Sequence, residues 1–180
     1  MNYDSRVFIH QLPIVKLFIY HLIYYRTLNK GYKESGLQNE FWTLTIDAHL
    51  LRATINWCMV FGSHKSEPTH WKKLFATRSD ADYENFRKGL LTAIGVDEDT
   101  WDQYWKSMKD FRDKYAVHRE LEFKEPVPNF DTALDVAHYY DDWVRKIISP
   151  DTILEPPLKS FELSLQKSAV PFVERLLQVT

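Results

Sequence analysis

The chain has little glycine and almost no cysteine. Five Gly in 180 residues leave few sites for tight turns, because glycine most readily supplies the positive φ that such turns need. That leans toward helix and away from a many-turned β fold. The single Cys58 excludes an internal disulfide and suits a reducing compartment. A large excess of charge of one sign is also missing. The formal net charge is −2 and the isoelectric point about 6.4, so the molecule is no general polyanion binder and any nucleic-acid contact must be local. The opening MNYDSRVFIH has no basic stretch followed by an apolar run, so no signal peptide is expected. The most apolar run, LPIVKLFIYHLIYY, is interrupted by Lys16 and His21 and is shorter than a membrane span. These absences predict a cytoplasmic protein without a membrane partner. No P-loop, dinucleotide fingerprint, zinc-finger spacing or Gly-x-Ser-x-Gly elbow occurs either.

Hydrophobic residues make up 44% and aromatics 15% of the chain, with six Trp and eleven Phe. A chain of this length fits one domain that buries most of its apolar surface without disulfides or a structural metal. Large flat side chains give much buried area per residue.

Helical spacing organises most of the sequence. Residues 12–30 predict a first helix, with Pro13 in its first turn and Ile14, Leu17, Phe18, His21, Leu22 and Tyr25 on one stripe. A longer helix is expected from about Gln38 to Phe61. Its buried stripe is read as Phe41, Leu44, Thr45, Ala48, Leu51, Ile55 and Cys58, and Gly62 is a natural C-terminal cap. THWKKLF suggests a short helix. Ser79 reads as the N-cap of the next, which runs to Ile94 and ends at Gly95. VDEDT then places negative charge at the start of a helix that carries Trp101, Tyr104, Trp105, Met108, Phe111 and Tyr115 to about Arg119. Pro126 and Pro128 stop it. Asp131 is expected to cap a helix to about Ile148. A last helical region, roughly 158–178, contains Pro171 and should kink or break there. LEFKEPV alternates like a strand, but its prolines demote it. The fold class is therefore all-α: a bundle of about five main helices plus one or two short ones. Residues 1–150 form the bundle; residues 151–180 are an extended connector and a helix that packs on the bundle or on a partner.

One short stretch carries candidate chemistry. RDKYAVH sets Arg112 and His118 six positions apart, with Asp113 beside the arginine. With nine Arg and seven His in the chain, about one such spacing arises by chance, so context must decide. The bland alternative is a solvated Arg112 and a His118 favoured by a helix C-terminus. Metal-free RNA cleavage needs a base for the 2′-hydroxyl proton, an acid for the leaving oxygen and a cation for the phosphorane. Histidine can serve as base or acid, and the arginine fork matches phosphate oxygens. In an α-helix, six residues leave the two side chains about 120° apart and about 9 Å along the axis. One copy supplies one histidine, so a two-fold dimer would be needed to supply two. Lys106, Lys109, Lys114 and Arg119 lie nearby and could contact an RNA backbone, partly offset by Asp110 and Asp113.

In this context the chain resembles the HEPN superfamily, in its abortive-infection branch. Arg112 and Asp113 match the first two places of that family's arginine–polar–histidine motif, and His118 matches the last. INWCMVFGS, HWKKLF and FRKGLL upstream are similar in texture, and the resemblance covers roughly residues 12–148. It implies a metal-independent endoribonuclease in a prokaryotic defence or toxin–antitoxin role, needing no cofactor. It further implies a homodimer with its site at the interface, RNA as substrate and an antitoxin protein as partner. Some members of the family lack activity, so a non-catalytic RNA- or nucleotide-binding or protein-interaction module is the main alternative.

Other constellations are weighed against blander roles. Glu67 with His70, and Asp135 with His138, have the acid-x-x-His spacing of metal-binding helical bundles. About one such pair is expected by chance in a chain with 25 acids and seven His. His64, His70, Lys72, Lys73 and Arg78 form a second basic stretch, read as a solvated face. His21 reads as a satisfied core or interface histidine, and Cys58 as a buried, inert thiol. Trp101, Tyr104 and Trp105 could stack bases, but their helical spacing favours core packing.

Overall fold

The structure is a computed structural model that describes residues 3–65, 67–75, 80–118, 126–148 and 153–179. Six helices account for nearly all of it: α1 (Ser5–Ser35), α2 (Glu40–Phe61), α3 (Asp80–Ile94), α4 (Glu98–Phe111), α5 (Phe130–Ile147) and α6 (Leu158–Val179). A 3-10 turn (Trp71–Leu74) precedes α3, and a π-helical turn (Arg112–Val117) extends α4. No strand forms among the described residues; Tyr3 and Phe75 make one isolated bridge. The all-α class expected from the spacing is the class observed.

Helix starts follow side-chain caps. Asp4 accepts the N–H of Arg6, Asn39 that of Phe41, Asp97 that of Thr100 and Asn129 that of Asp131, each satisfying a donor that the first turn leaves open. Two expectations change here. Asn129, not Asp131, caps α5. The first helix begins seven residues early at Ser5, because Asp4 supplies the cap, so Pro13 falls in the helix interior. Pro13 and Ile9 are both exposed, so the carbonyl that the missing N–H leaves unpaired faces water rather than core. Pro171 likewise sits within a continuous α6 rather than breaking it, and it too is exposed. The expected Ser79 cap lies outside the described residues. Gly95, at φ 69°, terminates α3 in the left-handed conformation that glycine adopts at no steric cost.

α1 is the central element, packed by α2, α5, α6 and the 3-10 turn. It is longer than its apolar run suggested, and by length and composition alone it could cross a membrane. Of its most apolar window, 44% is buried inside the bundle. Phe18, Ile19, Leu22, Trp57, Val136 and Tyr140 lie in the centre with essentially no exposed surface. A smaller cluster of Leu28, Trp42, Ile46, Val173 and Leu177 fastens the end of α6 to α1 and α2. Gly31 makes that approach close, since a Cβ there would stand 2.6 Å from Leu177 Cδ1.

α2 presents its faces differently from the expectation. Trp42, Ile46, Leu50, Ala53 and Trp57 point inward. Phe41, Leu44 and Ala48, assigned to the buried stripe, are exposed, and Thr45, Leu51 and Ile55 are half-buried. Only Cys58 of that stripe is fully buried. Both faces of α2 are apolar, so periodicity alone could not choose between them.

Buried polar groups join distant segments. The Gln11 amide donates to the carbonyls of Thr69 (3.1 Å) and His70 (2.9 Å), and its oxygen accepts from Tyr140 Oη at 2.7 Å. Asp141, 2% exposed, accepts the Leu158 N–H at 2.8 Å and Arg145 Nε–H at 3.0 Å. The α6 start is thus tied to α5 through a carboxylate placed where the helix dipole favours it.

Candidate functional site

The Arg112–His118 motif does not continue α4 as an α-helix. Residues 112–117 form a π-helical turn, and the His118 N–H bonds to the Asp113 carbonyl at 2.9 Å, five residues back. Single π turns inside α-helices are uncommon and recur at functional sites. The wider turn replaces the α-helical angle between Arg112 and His118 expected from the spacing.

Asp113 ties the motif together. Its carboxylate accepts Arg112 Nε–H at 2.6 Å while its carbonyl holds His118. The Arg112 side chain is 16% exposed and lies near Cys58 and Glu67. The Asp113 hydrogen bond is the main cause that raises its pKa further, with burial opposing, so the guanidinium remains a permanent cation. His118 is exposed at the end of the turn. The turn is anchored from behind. Tyr115 Oη donates to Asp47 on α2 at 2.9 Å, and the Tyr115 ring stacks on Phe111 at 4.9 Å.

The accompanying cations are partly engaged. Lys109 Nζ sits 4.0 Å above the Trp105 ring, a cation–π contact, and Lys114 Nζ is 3.9 Å from Asp110. Arg119 lies outside the described residues. Trp105 Nε1 donates to the Phe61 carbonyl at 2.8 Å, Tyr104 Oη donates to that of Asn129 at 3.0 Å, and Trp101 is half-buried against the same core. These three aromatics pack the helix rather than projecting from it. Cys58 is fully buried, and burial pushes its thiol up to about 12, which removes thiolate reactivity at neutral pH.

The other candidates separate. His70 is 3% exposed and accepts the Lys72 N–H through Nδ1 at 3.2 Å. Burial, with Lys72 and His64 nearby, holds it down at about 3. It belongs to the core rather than to a solvated face, while Lys72 lies over the Trp71 and Tyr83 rings. Arg78 is outside the described residues. His138 lies 3.0 Å from Glu162 on α6, close but without hydrogen-bond alignment. Among the described residues no three His, Cys, Asp or Glu side chains come close enough to hold a metal ion.

A pair invisible in the sequence joins α1 to α2. His21 Nδ1 and His49 Nδ1 are 2.9 Å apart, with the Tyr24 ring stacked on His49 at 5.5 Å. One imidazole donates and the other accepts, so at least one of the two is neutral. Burial is the main cause that lowers His21 to about 4, and burial also lowers His49. The partners are 28 residues apart, and no local signal links them. Two clefts are present elsewhere. One of about 280 Å³ lies between α1 and α6, lined by residues including Lys16, Tyr20 and Phe161. The other, about 510 Å³, is lined by residues including Asp4, His10 and Thr69. Neither is lined by a residue of the 112–118 segment.

No protein-family profile, characterised protein or solved structure matches this chain.

Proposed function

We propose that the protein is a HEPN-type, metal-independent endoribonuclease, working as a cytoplasmic homodimer in a prokaryotic defence or toxin–antitoxin role. One observation carries this reading: the Arg–Asp–His motif occupies a π turn in which Asp113 binds both of the other residues. The turn is held on α2 by Tyr115, so the motif rests on rigid elements rather than on a loop.

The chemistry follows from the side chains. A neutral histidine takes the proton from a ribose 2′-hydroxyl, and the resulting oxygen attacks the adjacent phosphorus. The bond from phosphorus to the 5′-oxygen breaks, and a protonated histidine supplies the proton to that oxygen. The products are a 2′,3′-cyclic phosphate and a free 5′-hydroxyl. Arg112 stabilises the negative charge that builds on the phosphorane oxygens. Asp113 orients Arg112 and keeps its fork charged. Each copy carries one such histidine, so His118 of one chain acts as base and His118 of the other as acid. Lys109 and Lys114 provide phosphate contacts along the RNA.

A second reading is a non-catalytic RNA-binding or protein-interaction module. It is favoured by the Arg112 side chain, which in the single chain is mostly shielded and already paired with Asp113. The experiment that separates the two is RNA cleavage by purified wild type, Arg112→Ala and His118→Ala. Cleavage by wild type alone supports the enzyme; binding without cleavage by all three supports the module.

A further inference from the structure

The outer face of α2 carries a second apolar seam. Phe41, Leu44, Ala48, Leu51 and Ile55 recur at intervals of three and four residues, the strict heptad pattern of a helix–helix seam. They lie opposite the face that packs the core. Phe41 is 63% and Leu44 61% exposed, Ala48 is exposed, and Leu51 and Ile55 are half-covered. A surface helix normally has one apolar stripe; this second stripe, exposed from Phe41 to Ala48 and half-covered at Leu51 and Ile55, marks an interaction surface.

The order of side-chain sizes indicates what covers it. Counted outward from Ala48, the seam reads small, then Leu on either side, then Phe or Ile at the ends. That order is the same from both directions. We propose that a second copy of this chain docks here, with the two α2 helices antiparallel and crossing at Ala48 on a two-fold axis. Ala48 then meets Ala48, Leu44 meets Leu51 and Phe41 meets Ile55. The smallest side chain sits where the helices approach most closely, and the bulky ones fill the spaces beyond. A two-fold interface must be self-complementary in this way. Antiparallel packing also sets opposite ends of the two helix dipoles side by side.

The extent of the seam fits a dimer core. Four turns from Phe41 to Ile55 span about 21 Å. A stable interface buries about 800 Å² on each partner, so flanking surface beside the seam completes it. One flank is the π turn, joined to α2 through Tyr115 and Asp47 and carrying Val117 at 54% exposure. A two-fold perpendicular to both helices carries the Asp47 flank of each copy to the same side. Both π turns therefore come to one side of the dimer, whereas a parallel pairing would put them on opposite sides. The surface is argued without the RNA reading and stands if that reading fails.

The test uses the full chain without RNA. Light scattering between 1 and 100 μM, on the order of the range in which oligomers exchange, should give a dimer for wild type and a monomer for Leu44→Asp, with unchanged helical circular dichroism. Under mild oxidation Ala48→Cys should form a disulfide-linked dimer, since the native Cys58 is buried. Leu44→Cys should not link to itself, because its two copies stand about 12 Å apart along the axis, beyond disulfide reach. A Leu44→Cys and Leu51→Cys mixture should link. A wild-type monomer throughout, a dimer unaffected by Leu44→Asp, or self-linking of Leu44→Cys would each overturn the proposal, the last pointing to a parallel pair.

Discussion

The carbonyl of Asp113 accepts the N–H of His118 at 2.9 Å, across five residues rather than four. The same residue binds Arg112 through its carboxylate, so the three motif residues form one connected unit. This coupling separates the consequences of changing each residue.

His118→Ala should abolish RNA cleavage, with a loss of about 10²- to 10⁴-fold. The side chain is exposed, so stability should change by less than about 0.5 kcal/mol. Thermal melting beside a cleavage assay checks both. Large destabilisation would mean that the residue is structural.

Arg112→Ala should also stop cleavage, but at a cost of about 1–2 kcal/mol in stability, because a mostly shielded cation and its charge-assisted bond disappear together. Arg112→Lys should restore part of the stability and little activity, since an ammonium lacks the two-pronged fork. Full activity in the lysine variant would remove the fork from the mechanism.

RNA binding by Lys109→Ala and Lys114→Ala should weaken across all sequences. On single-stranded RNA the slope of log affinity against log salt should become shallower by about 0.7 for each phosphate that no longer meets a lysine. An unchanged slope would place these lysines outside the interface. For Lys109 the substitution also removes the cation–π pairing with Trp105.

Stability should fall as the solution is acidified below neutrality. His70 and His21 are held at about 3 and about 4 in the folded protein, and His49 is also lowered, against about 6.5 when unfolded. Between those values the unfolded chain binds more protons than the folded one. The stabilisation is therefore complete above about pH 6.5 and is lost as pH drops toward the folded values. His70 alone should account for about 2 kcal/mol between pH 7 and 5. Urea melts of wild type and His70→Asn, whose amide can still cap the 3-10 turn, should show a flatter pH slope in the variant. Equal slopes would contradict the burial of a neutral His70.

Asp141→Ala should loosen α6. It frees the Leu158 N–H and leaves Arg145 without its carboxylate, a loss of about 3 kcal/mol for breaking a mostly buried pair. Hydrogen exchange should rise first at the start of α6. Uniform protection would show that the smaller apolar cluster alone secures the helix.

The helices were legible where apolar spacing agreed with an end signal: Gly95 closes α3, the acidic start opens α4, and α5 ends at Ile147 near the expected point, although Asn129 rather than Asp131 caps it. Less was legible where two physical signals competed. α2 has apolar residues on both faces, and only the position of α1 decides that Trp42 and Trp57 turn inward while Phe41 and Leu44 turn out. Pro13 suggested a helix start, but the Asp4 cap came earlier and an exposed proline was tolerable. The motif residues were visible as a spacing, yet the π turn was not, and the Tyr115–Asp47 bond that ties it to α2 joins residues 68 apart. His21 and His49 find each other only once α1 and α2 have packed.

The most direct test of the central claim is the end chemistry of RNA treated with the purified protein in excess chelator. The expected result is fragments ending in 2′,3′-cyclic phosphate and beginning with 5′-hydroxyl, formed by wild type and absent with His118→Ala. Intact RNA under all conditions, or identical cleavage by His118→Ala, would contradict it.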